Sequence, residues 1–487
     1  MKLRELLDGV ILMQESADQE MDITSISYDT REIENGALFV ALPGHKQDGH
    51  NFIDQALAKG AAAVLCQDPP DREGPWLVTP DSRAALAVVS ANWFGRPGDR
   101  MTLLAVTGTN GKTTTTTLLK AVLEECLDTK VGLIGTNRNM VGGKELPAQR
   151  TTPESYELQA LLRAMADEGC THVVMEASSH ALVQGRTHGL RFTLGLFTNL
   201  TRDHLDYHGT MEEYRRAKGL LFDQADLAVL NLDDEAGRWY AQRVPCPAFT
   251  YSERHPEADL TAENVKLFPD RVQFEAVARG AIARVVLPIP GGFTIYNALA
   301  VIAVGLNLGL ELPAIAAALS HAQGVKGRVE VVPIPAPFTV IIDYAHSPDA
   351  LENILTTVRP LTQKRLICVV GCGGERDKTK RPLMGEIAGE LADLTFLTSD
   401  NPRGEDPMAI LEDMLPGMER SGGAYRLVPG RREAIRAALA EARAGDLVLL
   451  AGKGHETYQE IQGEFLHLDE REEVAAFFQR VDGCDII

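Results

Sequence analysis

Short apolar runs bounded by polar or glycine-containing stretches recur along this chain, and they predict buried strands. ALFVAL (37–42), AAAVLC (61–66) and TLLAVTG (102–108) come first, then KVGLIG, THVVMEA, TLGLFTN and ADLAVLN. FTVIIDYA, RLICVVG, LTFLTSD and DLVLLAG follow in the last third. Helical patterns lie between them: IDQALAKGA, TTTTTLLKAVLEECL and TIYNALAVIAVGLNLG. In PESYELQALLRAMADEG, Leu158, Leu161, Leu162 and Met165 share one helical face, and Pro153 suits a first helical position. Strands alternating with helices imply mostly parallel sheets covered on both faces. RGAIARVVLPIPGG (279–292) predicts an antiparallel appendage, and MKLRELLDGVILM an amphipathic first helix.

At 487 residues the chain exceeds one ordinary core. The pattern divides it into an α/β protein of three domains. These are a small N-terminal α/β domain (1–98), a central parallel-sheet domain opening on a P-loop-type strand–glycine loop–helix (99–330) and a C-terminal Rossmann-like domain (331–487). GRPGD (95–99) is the first linker signal. The net charge of −20, from 48 Lys+Arg against 68 Asp+Glu, argues against a nucleic-acid partner. No apolar run has the length of a membrane span, and Glu5 and Asp8 interrupt any export-signal core. The seven cysteines form no CxxC and no zinc set, so reduced thiols in a cytoplasmic protein are expected.

The strongest local signal is Gly108-Thr109-Asn110-Gly111-Lys112-Thr113-Thr114, set after a strand and before a helix. It shortens the usual GxxxxGK[ST] phosphate loop by two residues between the glycines. Backbone N–H groups at the helix start would cradle phosphate, Lys112 would reach the terminal phosphates, and Thr113 would bind magnesium. Glu176 ends the strand THVVME, where α/β folds place metal ligands, although alone it reads as an ordinary strand-end residue. Asp203, His204, Asp206 and His208 crowd a short loop, NLTRDHLDYHG, which alone suits turn chemistry as well as a metal site. Tyr214, Lys218 and Phe222 share one helical face. Burial there would lower the amine's pKa, and a neutral amine can react with carbon dioxide to give an anionic carbamate. Periodicity alone favours a lysine snorkelling from the stripe's edge.

TGTNGKTT, EASSH, NLTRDHLDYHG and YxxxKxxLF, in this order, resemble the Mur ligases, which build the peptide of bacterial cell-wall precursors, and their folylpolyglutamate synthetase relatives. The resemblance implies magnesium ligands at Thr113, Glu176, His204 and Lys218, the last as its carbamate (N6-carboxylysine). Lys112, Lys218, His204 and Glu176 become the catalytic set. Asn297, Arg328, Asp343 and His346 match the family's further ATP contacts, while Thr294 stands where the family commonly has Asn. Asp400-Asn401-Pro402-Arg403 resembles the signature of members that add meso-diaminopimelate to UDP-N-acetylmuramoyl-L-alanyl-D-glutamate. Arg376, Gly452 and Glu456 match other diaminopimelate contacts. A guanidinium fork is a natural partner for the carboxylate that distinguishes diaminopimelate from lysine. Thr30, Gly44, His45 and Lys46 align with uridine contacts. Thr151, Thr152, Ser178, Gln184 and Arg186 match contacts to the muramoyl peptide, and Arg150 stands where some members have Asn.

The activity this implies is an ATP-dependent amide ligase working through an acyl phosphate, with Mg2+ as cofactor. Its partners would be ATP, meso-diaminopimelate and UDP-N-acetylmuramoyl-L-alanyl-D-glutamate, with no nucleic acid or membrane, and the chain would be a monomer. The competing readings are a folylpolyglutamate synthetase-like ligase and a nucleotide-gated switch.

Overall fold

The computed structural model describes residues 1–44, 47–268 and 270–482. His45 and Lys46, expected at the uridine end, lie outside the described residues. The chain divides into two compact units, residues 1–250 and 251–487.

In the first unit, a five-stranded sheet is built around Ala37–Val40 and Ala63–Cys66, whose four residues are all buried in each strand. They pair in parallel, as the continuous apolar runs predict. Helix Ser82–Trp93 follows, with Asp81 accepting from the Arg83 and Ala84 amides. A second sheet carries five parallel strands in the order Ala228–Asn231, Leu194–Phe197, Thr102–Thr107, His172–Glu176, Val131–Ile134. Helix Lys112–Leu127 packs on this sheet. Helix Ser155–Asp167 buries Leu158, Leu162 and Met165 in one cluster with Leu103, Val173 and Met175.

In the second unit, Leu260–Leu267, Val272–Ala278 and Ala281–Leu287 form the expected antiparallel ribbon. Helix Phe293–Asn307 is apolar on nearly every face and correspondingly buried. A six-stranded sheet has the parallel core Thr339–Asp343, Leu447–Ala451, Leu366–Val370, Leu394–Leu397, with its edge strand Glu330–Val332 antiparallel.

Four local expectations are corrected. The first helix is only Leu3–Leu6, because the chain turns at Gly9 (φ 81°) and leaves Ile11 and Met13 exposed. Pro153 precedes the helix, whose N-cap is Glu154 and whose first residue is Ser155. The linker signal folds into a short 3-10 helix, Pro97–Arg100, started by Arg96 in the left-handed region (φ 49°). The loop after Leu194–Phe197 contains a helical turn, Leu205–His208. Among the described residues no helix is long and apolar enough to cross a membrane.

Candidate active site

The phosphate loop needs both of its glycines. Gly108 (φ 147°) lies so close to the Thr198 hydroxyl that a Cβ would collide with it, and Gly111 (φ 85°) caps helix Lys112–Leu127 from the left-handed region. The segment after strand Leu194–Phe197 braces the loop. The Thr109 amide donates to the Asn199 carbonyl (2.8 Å), the Asn110 amide to Asn199 Oδ1 (2.9 Å) and the Thr198 hydroxyl to the Asn110 carbonyl (2.7 Å). Sequence reasoning missed Asn199, because nothing local to TNLT names the loop 89 residues upstream as its partner.

Two lysines meet at this loop. Lys112 Nζ donates to the Gly108 and Thr109 carbonyls (both 2.9 Å), and Lys218 Nζ donates to the same Gly108 carbonyl (2.7 Å). Lys218 is 1% exposed, and its Nζ lies 4.4 Å from the Tyr214 ring centroid. The predicted stripe is therefore core: Tyr214 and Phe222 are also buried. Loss of water, and then the neighbouring Lys112 charge, push the Lys218 amine well below its ordinary value, with only Asp203 opposing. Helix Met211–Gly219 is fixed at its start by the Thr210 hydroxyl, which accepts from the Glu213 amide.

Beside the loop, Glu176 is fully buried and its two oxygens accept from the Thr136 amide and hydroxyl (2.9 Å each). Thr136, absent from the sequence expectations, also meets Thr151 hydroxyl to hydroxyl at 3.0 Å. The Thr152 hydroxyl donates to the Glu176 carbonyl (2.7 Å) and accepts from the Ser178 amide (3.0 Å). Arg186 donates to the Thr152 carbonyl (2.9 Å) and to Gln184 Oε1 (2.6 Å), and Gln184 Nε2 donates to the Tyr207 hydroxyl (3.3 Å). Glu176, Thr151, Thr152, Ser178, Gln184 and Arg186 thus belong to one connected network. The His180 ring lies 4.9 Å from His204 and 4.1 Å from Tyr207, while His208 stacks on Tyr214 at 4.9 Å. Thr30 stands elsewhere in this unit, its hydroxyl donating to Gln55 Oε1 (3.2 Å). Gly44 cannot carry a Cβ without striking the Gln47 carbonyl.

In the second unit, Asn401 organises the DNPR segment. Its Oδ1 accepts from Lys453 Nζ (2.8 Å) and from the Glu460 amide (3.0 Å), and its Nδ2 donates to Glu456 Oε2 (3.0 Å). Arg403 takes left-handed backbone (φ 52°), as His204 does in the first unit (φ 53°), a conformation costing a non-glycine residue about 1–2 kcal/mol. Arg403 donates to the Gly374 carbonyl (2.9 Å) and pairs with Glu460 (3.1 Å). Gly452 (φ 118°) approaches Asp400 so closely that a Cβ would crowd the carboxylate, and Gln459 holds the Asp400 carbonyl. Pro402 is buried and Arg376 exposed. Lys453, Glu460 and Gln459 escaped the sequence reading because they act through Asn401 and Asp400 rather than through a motif of their own.

Asp343 is buried, accepts from the Val329 amide (2.8 Å), and is raised by desolvation against the opposing Arg328 charge. Arg328 lies 5.1 Å from the Tyr344 ring centroid, and His346 Nδ1 is 2.8 Å from the Tyr344 carbonyl. Asn297 is buried in helix Phe293–Asn307. Thr294 uses its hydroxyl within that helix's own start, donating to the Pro290 carbonyl (2.9 Å).

Comparison with known families places these features. The Mur ligase middle domain matches residues 106–305, the Mur ligase glutamate ligase domain 327–454 and the Mur ligase family catalytic domain 22–94. A relative from Geobacillus kaustophilus (strain HTA426), named UDP-N-acetylmuramoyl-L-alanyl-D-glutamate--2,6-diaminopimelate ligase, is 46% identical over 92% of this chain and 94% of its own. One of the same name from Geobacillus thermodenitrificans (strain NG80-2) is 44% identical over 97% and 98%. A solved structure of a ligase of that name is 33% identical, covers 99% of each chain and superposes with a TM-score of 0.72. With its phosphate loop, buried lysine and DNPR segment all carried on this fold, the chain belongs to the Mur ligase family.

Proposed function

We propose that this chain joins meso-2,6-diaminopimelate to the γ-carboxyl of the D-Glu in UDP-N-acetylmuramoyl-L-alanyl-D-glutamate, cleaving ATP to ADP and phosphate. The observation that carries the choice of amino acid is that a cation and an anion both border Asn401. The Arg403 guanidinium and the Glu456 carboxylate both border this one residue, Arg403 Nη1 at 3.5 Å from its carbonyl and Glu456 at 3.0 Å from its amide nitrogen. A cation and an anion held together suit an amino acid whose far end is itself zwitterionic. Diaminopimelate has such an end; lysine and glutamate do not.

The donor set of the first unit suits magnesium, a hard cation that prefers oxygen. Thr113 and Glu176 would supply oxygens, His204 an imidazole, and Lys218 two more oxygens once its amine carries carbon dioxide. As a free amine Lys218 only donates, and its depressed pKa favours the neutral form that reacts. The bound metal would neutralise charge on the transferring phosphoryl group.

In the reaction, a γ-carboxylate oxygen of D-Glu attacks the terminal phosphorus of ATP, the bond to the bridging oxygen breaks, and ADP leaves. Lys112, freed from the loop carbonyls, follows the terminal phosphate, while the loop amides hold the rest of the triphosphate. The amine of diaminopimelate then attacks the acyl carbon, phosphate leaves with the C–O bond's electrons, and the amine proton passes to solvent or a nearby base. By resemblance to the family, Asn297, Arg328, Asp343 and His346 are further nucleotide contacts, and Thr30 with Gly44 to Lys46 are uridine contacts. Cytoplasmic residence fits both nucleotide substrates and the unpaired thiols of Cys66, Cys126, Cys170, Cys246, Cys368 and Cys372.

Phosphate release from ATP, measured with the UDP-muramoyl dipeptide present and diaminopimelate added or omitted, tests the reading. Release that requires both substrates is expected. Release that requires neither would make the chain a nucleotide switch, and release driven by glutamate with a folate would make it the other ligase.

A further inference from the structure

Arg431 and Glu470 are the first residues of helices Arg431–Glu441 and Glu470–Asp482, and both side chains are 0% exposed. Arg431 Nε and Nη2 both donate to Glu470 Oε1 (2.9 and 2.7 Å). The pair is poorly arranged for stability. A cation at a helix start opposes the macrodipole. Glu470 Oε2 is buried without a hydrogen-bond partner among the described residues, and burial raises this carboxyl against the opposing Arg431 charge. What the arginine gains lies on its other side. Nη2 donates to the Ala451 carbonyl (2.8 Å) and Nη1 to the Ser399 carbonyl (3.4 Å). Ser399 immediately precedes Asp400 of DNPR, and Ala451 immediately precedes Gly452 of GKGHE. The strands that deliver these segments, Leu394–Leu397 and Leu447–Ala451, are not neighbours: Leu366–Val370 runs between them and pairs with both. The sheet therefore links them only through a third strand, and two strand spacings set them roughly 10 Å apart. The Arg431 side chain spans that gap.

We propose that Arg431, held by Glu470, is a positioning residue for amino-acid selection: it fixes the separation of DNPR from GKGHE, and with it that of the Arg403 guanidinium from the Glu456 carboxylate. This rests on the diaminopimelate reading proposed above. The far end of diaminopimelate carries its carboxylate and its ammonium on one carbon, so a site for that end tolerates little drift between its own cation and anion. A Cβ on Gly452 would lie 2.7 Å from Asp400 Oδ2 and 3.9 Å from both Arg431 Nη atoms, so the two segments meet where the guanidinium backs them. The neighbouring Arg471 donates to the Gly454 carbonyl (3.1 Å), and one helix start thereby grips GKGHE at two points. A guanidinium suits the task because its planar fork serves Glu470 and two carbonyls at once, whereas a lysine ammonium is a compact point donor. An apolar pair of similar volume would serve stability as well, which leaves geometry as what the charges supply.

The test is steady-state ATP cleavage by the full chain, with the UDP-muramoyl dipeptide present, for the Arg431→Met/Glu470→Met double variant and for Arg431→Lys, alongside thermal unfolding of each. Absence of diaminopimelate-dependent turnover in the unaltered chain would defeat the amino-acid reading, and this inference with it, whatever the variants do. Given that turnover, the double variant should keep its Tm within about 3 °C. Its KM for diaminopimelate should rise about 10-fold or more, while those for ATP and the dipeptide stay within about 2-fold. Arg431→Lys keeps a charge beside Glu470 but reaches fewer acceptors, and should raise the same KM alone, by about 3-fold or more. An unchanged KM for diaminopimelate in a folded variant, or a parallel rise in all three KM values, would overturn the proposal and leave the amino-acid reading intact. Failure of both variants to fold would overturn it too, by making the pair a part of the core and nothing more.

Discussion

Two of the buried lysines, Lys218 and Lys453, both lie against a tyrosine ring and meet opposite fates. Lys218, in the first unit, lies against Tyr214 and has a loop carbonyl and the charge of Lys112 for company. Lys453, in the second, lies 5.0 Å from the Tyr458 ring centroid, but it also pairs with Glu456 at 2.5 Å and Asn401 at 2.8 Å. Burial removes water from both. Only the second is held directly against a carboxylate, that of Glu456; the first is driven toward a neutral, nucleophilic amine. The chemistry of a buried lysine is decided less by depth than by whether an anion accompanies it.

The largest effect expected from this contrast is on catalysis. Lys218→Ala should lower turnover on the order of 10²–10³-fold, with partial recovery in added short carboxylates that replace the carbamate oxygens. Undiminished turnover would remove the carbamate from the mechanism. Lys453→Met, in contrast, leaves Glu456 without its counter-charge and should cost about 3–5 kcal/mol in denaturant unfolding. Lys218→Met, which fills a similar volume and strands no carboxylate, should cost under about 1.5 kcal/mol. Equal losses for the two methionine variants would erase the distinction.

Arg403→Ala should raise the KM for diaminopimelate by about 10–100-fold and leave that for ATP nearly unchanged; parallel changes in both would show that Arg403 does not choose the amino acid. The smallest effect belongs to Glu405. Hydrogen bonds from Arg381 hold its carboxyl down to about 2, below its ordinary 4.5. A lowered carboxyl stabilises the fold fully above its unfolded value, and this contribution is lost as pH falls from about 4.5 toward about 2. The Glu405→Gln variant should therefore show a shallower fall of Tm across that window than the unaltered chain.

Much of the first site was legible because its signals are local. Gly108 and Gly111 take backbone that side chains resist, and an apolar strand before them with a helix after them fixes the loop within a few residues. The spacing of Tyr214, Lys218 and Phe222 likewise put them on one face, and the fold buries all three. DNPR was visible as a string, but the hub role of Asn401, reaching Glu456 and Lys453 more than fifty residues away, was not.

The sequence by itself determined the alternation of strand and helix, the glycine-bounded loop between them and the single helical face shared by Tyr214, Lys218 and Phe222. These follow from periodicity and backbone preference, which act over one or two turns of chain. The tertiary structure alone decided which partners each side chain received: Gly108 for Lys218 across 110 positions, Asn199 for the phosphate loop, and Glu470 for Arg431. Charge and hydrogen bonding depend on distance in space, so the pKa of Lys218 and the bridge that Arg431 makes between Ser399 and Ala451 exist only once the chain has folded.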